Sequence, residues 1–167
     1  MSQRDIVALA CALIFLALIA LATSAIKRRA KKQSGLGTLT ALETVSGVTT
    51  DQASGFYVST VFANKPLERI VSHGLLHRGK VDVVLREDGI QVKRLGEASF
   101  AIAASAITNV ARASATIDRG VEQSGLLAIS WMLGETEVTT NFRLDAADDT
   151  QAFFEKLSQF KGIGAGK

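Results

Sequence analysis

The sequence predicts an N-terminal transmembrane α-helix joined to a mainly-β (α+β) domain. In that domain about seven antiparallel strands form two orthogonal sheets or a half-open barrel with a C-terminal capping helix. Three observations predict this arrangement. An uncharged apolar run of 21 residues occupies 6–26. Apolar residues then recur with a period of two over most of 56–144, which is typical of half-buried strands. From 145 onward the period becomes that of an amphipathic helix.

The apolar run at 6–26 has the length of a membrane-spanning helix. Its sequence is IVALACALIFLALIALATSAI, and as a helix it reaches about 31 Å, close to the hydrocarbon thickness of a bilayer. The five cations that follow it at 27–32 are Lys27, Arg28, Arg29, Lys31 and Lys32. Because basic residues beside a span stay in the cytoplasm, we expect residues 1–5 to be extracytoplasmic. The chain after 32 is then cytoplasmic, as in a single-pass protein of the inner (plasma) membrane.

The basic cluster at 27–32 has a second expected effect besides fixing the topology. Cations near a bilayer surface attract anionic lipid by about 1 kcal/mol each, so membrane lipids are expected partners. The alternative to an anchor is a cleaved signal peptide, because Ala20-Leu21-Ala22 has the form of a cleavage site. The length of the run and the cations after it favour the anchor.

Charge divides unevenly between the anchor and the rest of the chain. Residues 1–32 hold six cations and one anion, whereas residues 33–167 hold 13 cations and 15 anions. The basic pI therefore reflects the membrane edge, and no nucleic-acid partner is expected. The single cysteine, Cys11, lies inside the apolar run, so an intramolecular disulfide is excluded.

Composition divides the remaining chain into a linker, a domain and a tail. Residues 33–55 are rich in Ser, Thr and Gly, which predicts a mostly flexible linker. The folded domain is expected at 56–160. The glycine-rich end predicts a flexible tail at 161–167.

Local patterns predict the elements of the domain in order. Residues 56–62 alternate as a strand does, and Pro66 and Gly74 suit the start and the end of a short helix at 66–73. Asp88-Gly89 between two alternating runs predicts a hairpin. Further along, we expect a strand around 100–102, a helical turn at 103–108, and strands at 109–117, 127–133 and 138–144. The last element is a helix with Asp145 as N-cap and with Asp148 and Asp149 in its first turn. Its inner face is expected to carry Phe153, Leu157 and Phe160.

Several segments of the domain resemble one known family. They are Tyr57-Val58 with Thr60, Leu67-x-Arg69-Ile70, His73-Gly74-Leu75, the segments EDGI and FAIAASAI, and Ser130-Trp131. These segments are similar to single-pass actinobacterial membrane proteins that carry a pleckstrin-homology-like (PH-like) domain. Family members are known mainly as uncharacterised membrane proteins or as proteins assigned to export, often encoded among pyrimidine-biosynthesis genes. The resemblance implies a PH-like domain at 56–160 and a location at the membrane rather than an activity.

No catalytic or cofactor motif stands out in the sequence. The nucleotide motifs GxGxxG and GxxxxGK[ST] are missing, and no serine has a nucleophile-elbow context. His73 and His77 are four residues apart, but Gly74 separates them and a third strong ligand is not near, so no metal site is predicted. We expect neither a cofactor nor an enzymatic activity.

One basic group in the domain is a candidate partner or headgroup site. On a helix at 66–73 two of its members share a face, and the others follow on the same connection between strands. The group, which we call the basic rim, consists of Arg69, His73, Arg78 and Lys80. In phosphoinositide-binding PH domains this connection holds the headgroup, so the resemblance implies a binding role. The competing interpretation is structural, with a helix cap and an ion pair to Glu68 or Asp82.

The leading functional hypothesis is a non-enzymatic adaptor or accessory subunit of a membrane complex. The anchor would display it on the cytoplasmic side for a membrane or cytoplasmic protein partner. Three alternatives stay open. They are a module that binds anionic lipid headgroups, a regulatory subunit linked to metabolism or to transport and export, and a domain exported after cleavage at Ala22.

Overall fold

The computed structural model describes residues 2–113, 126–145 and 147–160. One long helix, α1 (Gln3–Lys32), contains both the apolar run and the basic cluster. It begins with a capping box, in which the Asp5 carboxylate accepts a hydrogen bond from the backbone N–H of Ser2. None of the residues of α1 is buried, and the helix is long and apolar enough to cross a bilayer. A membrane anchor and a signal sequence share these properties.

Eight strands and a second helix follow α1 among the described residues. Their bounds are β1 Thr49–Phe62, β2 Lys65–Arg69, β3 Gly79–Arg86, β4 Gly89–Arg94, β5 Phe100–Ala103, β6 Ile107–Ala113, β7 Leu126–Leu133, β8 Thr136–Leu144 and α2 Ala147–Ser158. The strands pair antiparallel in the order β5-β4-β3-β1-β8-β7-β6, and β2 pairs with β1 outside this path. This mainly-β domain, with a helix at each end of the chain, confirms the predicted fold class.

Strand β1 belongs to both halves of the sheet. Its first part pairs with β3 from Thr49 to Tyr57, and its second part pairs with β8 from Gly55 to Phe62. Gly55 lies where the two parts overlap, and a Cβ atom there would collide with the carbonyl oxygen of Arg143. The glycine therefore lets the three strands approach closely. The two predicted sheets are continuous through β1.

The core lies between the two halves of the sheet and beneath α2. Phe100 of β5 stacks on Trp131 of β7 with ring centroids 5.9 Å apart, so residues far apart in the strand order meet across the core. Phe153 and Leu157 of α2 are buried, as their spacing predicts, and Phe160 packs against the same core. The helix thus closes the open side of the sheet.

Several local predictions agree with the structure. Arg86 pairs with Gly89 across the Glu87-Asp88 turn, which forms the hairpin predicted by the Asp-Gly motif. Gly134 (φ 63°) turns the chain between β7 and β8, which correspond to the consecutive strands predicted at 127–133 and 138–144. A 3₁₀ turn at Ala104–Ala106 lies within the predicted helical turn.

The predicted helix at 66–73 is wrong. The segment forms β2, in which Phe62 pairs with Lys65 and Val61 pairs with Arg69, followed by a turn. An isolated helix of two turns is marginal in water, whereas the edge of β1 offers backbone partners at once. Pro66 is compatible with such an edge position because it needs no ladder donor. Leu67, in the middle of this strand, is 81% exposed.

The segment predicted as a flexible linker at 33–55 differs in the structure. Strand β1 already begins at Thr49. Before it, residues 36–48 lie across β4 and β5, and we call them the strap. Leu36 and Val45 of the strap are buried, so this segment contributes apolar side chains to packing.

Some predictions fall outside the described residues. They concern the far end of the strand at 109–117, the side chains of Asp148 and Asp149, and the tail at 161–167.

Candidate functional site

The loop between β2 and β3 is held by side chains from the core. The Arg94 guanidinium donates from Nη1 to the carbonyl oxygen of Gly74 at 2.9 Å and from Nη2 to that of His77 at 2.6 Å. The Tyr57 hydroxyl donates to the carbonyl oxygen of Leu75 at 3.0 Å. Three carbonyls of a four-residue stretch therefore have a buried side-chain partner, which fixes the path of the loop.

Arg94 and Tyr57 also interact with each other. The guanidinium carbon lies 4.2 Å from the centre of the tyrosine ring, within the range of a cation–π contact. Burial lowers the pKa of Arg94 and raises the pKa of Tyr57. The phenol therefore stays protonated and keeps its donor for the loop. Arg94 and Tyr57 were not identified from the sequence as residues that bind this loop. The alternation of Ile90 and Val92 does place Arg94 on the inner face of β4.

Arg69 of the basic rim has a structural role in this arrangement. Its Nη2 donates to the carbonyl oxygen of Val58 at 2.9 Å and to that of Leu76 at 3.3 Å. The side chain is half-buried, and it joins β1 to the same loop. Because this guanidinium already serves backbone carbonyls, it is poorly placed to capture a headgroup from outside.

The other members of the basic rim are divided between the loop and β3. His73 lies in the loop in a left-handed conformation (φ 56°), is half-buried, and its Nε2 has no hydrogen-bond partner among the described residues. Arg78 and Lys80 are exposed, on the loop and on β3 respectively. The structure thus brings His73 and Arg78 onto one loop, but no helical face joins Arg69 to His73.

The end of α1 is attached directly to the domain through Gln33. Its side-chain Nε2 donates to the carbonyl oxygen of Arg69 at 3.1 Å. Its Oε1 accepts from the backbone N–H of Val71 at 2.8 Å and from that of Ser72 at 3.3 Å. One amide group therefore uses its donor and its acceptor on the same turn of the domain, and nothing in the sequence signals this contact. We call it the Gln33 clamp.

A groove lies between the last turns of α1 and β2. It has a volume of about 810 Å³, and its lining includes Arg29, Lys32, Lys65, Pro66, Leu67 and Glu68. We call it the anchor groove. Lys65 and Glu68 form an exposed ion pair at 3.5 Å.

The five cations of the basic cluster divide into two groups around this groove. Arg29 and Lys32 are among its lining residues, whereas Lys27, Arg28 and Lys31 are not. All five are exposed. A helix places residues three apart on one face, which is why the first two point the same way. The cluster therefore has one face toward β2 and other faces toward the surroundings.

The strap covers the edge of the sheet at β5. The backbone N–H of Ala101 donates to the carbonyl oxygen of Thr40 at 2.9 Å, so this part of the β5 edge already has a partner. Gln91 reaches from β4 and donates from Nε2 to the carbonyl oxygens of Leu42 and Val45, at 2.9 and 2.7 Å. The strap is thus bound by both backbone and side-chain contacts.

Asp88 binds the other end of the strap at the β3–β4 turn. Its carboxylate accepts from the backbone N–H of Ser46 at 2.8 Å and from that of Gly47 at 3.0 Å. The hydrogen bond from Ser46 is the main cause of the lowered pKa of Asp88. At the beginning of β1, Asp51 accepts from Lys156 of α2 at 2.8 Å, and this hydrogen bond lowers the pKa of Asp51.

A relay of polar side chains runs through the core. The Trp131 indole N–H donates to the Thr140 hydroxyl at 2.9 Å, which lies 3.0 Å from the Thr60 hydroxyl. The Thr60 hydroxyl lies 2.8 Å from that of Tyr57. The indole N–H can only donate, and the phenol proton goes to the carbonyl oxygen of Leu75. The Thr140 hydroxyl therefore donates to the Thr60 hydroxyl, which in turn donates to the Tyr57 oxygen. Every proton in the relay has an acceptor, so its role is to stabilise the fold.

The polar groups described above act within the fold or lie on exposed surfaces. Within residues 2–113, 126–145 and 147–160, no three His, Cys, Asp or Glu side chains are grouped so that they could hold a metal ion. The shifted pKa values described above come from burial at Arg94 and Tyr57 and from hydrogen bonds within the fold at Asp51 and Asp88. Positive charge and exposed apolar surface come together at the anchor groove, which is suited to an anionic, partly apolar ligand.

The comparison with protein families agrees with this picture of the domain. The family model described as bacterial PH domain-like matches residues 36–158, which begin at the strap and end with α2. The comparison with curated proteins finds none that matches. PH-like domains are in general lipid- or protein-binding modules without catalytic activity. The matched region covers most of the chain and all of the strands, so the chain belongs to the bacterial PH domain-like family.

Proposed function

We propose that this chain is a non-enzymatic, single-pass protein of the plasma membrane that presents its PH-like domain to the cytoplasm. There it serves as an adaptor or accessory subunit for a membrane or cytoplasmic protein. The observation that carries this proposal is the Gln33 clamp, which ties the domain to the residue directly after α1. With α1 in the bilayer, the clamp holds the domain at the membrane surface in one orientation.

The orientation matters because a clamped domain differs from one on a flexible tether. A domain on a tether of 20 residues samples a volume tens of ångströms across. A clamped domain presents the same surfaces to every neighbour in the membrane plane. Fixed presentation lowers the ordering cost of assembly with a membrane partner. This supports an accessory subunit over a sensor that searches for a distant ligand.

The orientation of α1 follows from the basic cluster. Cations at 27–32 favour the cytoplasmic side. The alternative, in which the basic rim binds an anionic lipid headgroup, has less support at one of its four residues. The guanidinium of Arg69 already donates to the carbonyl oxygens of Val58 and Leu76. The adaptor hypothesis needs no free guanidinium at that position.

Proximity labelling in cells tests the proposal. A labelling enzyme is fused to the C-terminus of the full chain, and the control carries the same enzyme directly after residue 33. Both proteins are expected to label cytoplasmic proteins, and the full chain should enrich a small reproducible set of membrane or cytoplasmic proteins over the control. Labelling confined to extracytoplasmic proteins, or identical neighbour sets for the two proteins, would overturn the proposal.

A further inference from the structure

The anchor groove combines three features that point to one class of ligand. Four exposed side chains carry its charge, the cations Arg29 and Lys32 of α1 and Lys65 of β2, and the opposing carboxylate of Glu68. The half-buried Arg69 also lines the groove, and its Nη2 donates to backbone carbonyls. The Lys65–Glu68 pair is exposed and 3.5 Å long, so it does not bind Lys65 tightly. The charge of these four side chains is positive, and it comes from two elements that only the folded full chain brings together.

The depth of these cations matches that of lipid phosphates. Counting from Ile26, where the apolar run ends, Arg29 lies about 4.5 Å and Lys32 about 9 Å further along the helix axis. The polar layer on each side of a bilayer is about 5–8 Å thick. Arg29 therefore lies at the level of the headgroups and Lys32 just beyond their outer edge, within reach of its long side chain, provided that α1 spans the membrane as the proposed function requires.

The apolar wall of the groove is also unusual for a water-exposed surface. Leu67 is 81% exposed at the middle of β2, and Pro66 beside it is exposed as well. On the far side, α1 contributes Arg29 and Lys32 to the groove, and its exposed apolar run ends at Ile26, about one turn before Arg29. A molecule with an anionic head and apolar tails matches both walls at once.

We infer that the anchor groove binds one anionic phospholipid of the cytoplasmic leaflet. The phosphate lies between Arg29, Lys32 and Lys65, the acyl chains run beside α1, and Leu67 enters the edge of the bilayer. This lipid holds β2 against the membrane beside the Gln33 clamp, since Gln33 also lines the groove. The site shares Arg69 with the basic rim, but it differs from the rim because it requires α1 and is absent from the isolated domain.

Native mass spectrometry of the purified full chain tests this inference. The detergent-solubilised protein is titrated with phosphatidylglycerol and, separately, with phosphatidylcholine. We expect one phosphatidylglycerol to bind, with an affinity about tenfold higher than that of phosphatidylcholine. This preference is smaller than the summed attraction of three interfacial cations would give, because the groove is open to solvent and salt. The variant Arg29→Gln/Lys32→Gln/Lys65→Gln should reduce the preference to less than about twofold.

A matched control separates a site from diffuse attraction. The variant Lys27→Gln/Arg28→Gln/Lys31→Gln also removes three cations, all from the basic cluster, but leaves the groove lining intact, so it should retain the preference. All six substituted side chains are exposed, and the fluorescence of Trp131 reports that each variant is folded. Equal loss in the two variants, or no preference in the unmodified chain, would overturn the inference.

Two further measurements define the ligand. Leu67→Ser should weaken phosphatidylglycerol binding several-fold, and glycerol phosphate without acyl chains should not compete at equal concentration. Competition by that soluble phosphate would overturn the assignment to a lipid. The mass of the cellular protein tests the proposed function separately, because a chain cleaved at Ala22 would refute the anchor whatever the purified full chain binds.

Discussion

The substitution Arg94→Met removes the guanidinium that ties the β2–β3 loop to β4 but keeps an apolar stem of similar length. Arg94 is 6% exposed, and it donates to the carbonyl oxygens of Gly74 and His77 while stacking on Tyr57. The methionine can still pack against the tyrosine ring. What is lost is the anchoring of the loop.

The expected cost follows from opposing contributions. Two hydrogen bonds from a charged donor contribute about 1.5–3 kcal/mol each, and the cation–π contact contributes about 1–2 kcal/mol. Removing a buried charge recovers several kcal/mol of desolvation, and the carbonyls of an exposed loop can bind water. We expect a net loss of about 2–3 kcal/mol in the free energy of unfolding. At a slope of about 1.5 kcal/mol per molar urea, the midpoint should fall by about 1.3–2 M.

Urea titration of the full chain in detergent measures this loss. The single tryptophan, Trp131, lies in β7 and is 2% exposed, so its fluorescence reports on unfolding of the domain without interference from α1. Hydrogen exchange at 72–78 locates the effect, because the amides of the loop should exchange faster in the variant than those of β7.

Two comparison variants make the result interpretable. Lys93→Met alters the adjacent exposed residue of β4 and should change stability by less than about 0.5 kcal/mol. Arg94→Lys keeps the charge but cannot reach both carbonyls in a fork, so it should recover less than half of the loss. The reasoning is refuted if Arg94→Met unfolds within about 0.5 kcal/mol of the unmodified chain, or if Lys93→Met is equally destabilising.

Two other predictions concern acid pH and the buried relay. Because the folded-state pKa values of Asp51 and Asp88 lie below 3.8, the stability they contribute is present above pH ~4 and is lost as the pH falls through those lowered values. The double variant Asp51→Asn/Asp88→Asn should therefore show a weaker fall in urea midpoint below that pH, and an unchanged fall would contradict the assignment. Thr140→Val deprives the Trp131 indole of its acceptor and should cost about 1–3 kcal/mol. Thr139→Val, on the half-exposed neighbour, should cost clearly less, and equal costs would argue against the relay.

The sequence predicted best those elements whose information is local. Asp88-Gly89 determines the β3–β4 hairpin within four residues, and the spacing of Phe153 and Leu157 determines the inner face of α2 without reference to other elements. Where two local structures satisfy the same signals, long-range pairing decides. Pro66 suits the first turn of a helix and also an edge strand, and only the edge of β1 selects the strand.

Burial of isolated residues was the part that local patterns could not reveal. Val45 is fully buried although its sequence neighbours are polar. The strap packs against β4 and β5, which are distant from it in the sequence. Arg94 continues the inward alternation of β4, but its charge suggests a surface position. Its carbonyl partners come from a loop whose conformation is itself a product of the fold. The burial of Val45 and the hydrogen bonds of Arg94 therefore both depend on tertiary structure, which a local sequence pattern does not reveal.

The strap and the Gln33 clamp together restrict how a partner can bind. Strand addition at the edge of β5 requires a partner to displace the carbonyl of Thr40 from the N–H of Ala101, and the strap is further held by Gln91 and Asp88. Because these contacts must be broken first, a partner strand competes with a bound segment of the chain itself. The β2 side meets the end of α1 and, in the proposed orientation, the headgroups. A partner that leaves the fold intact is therefore expected on surfaces other than the β5 edge and the anchor groove.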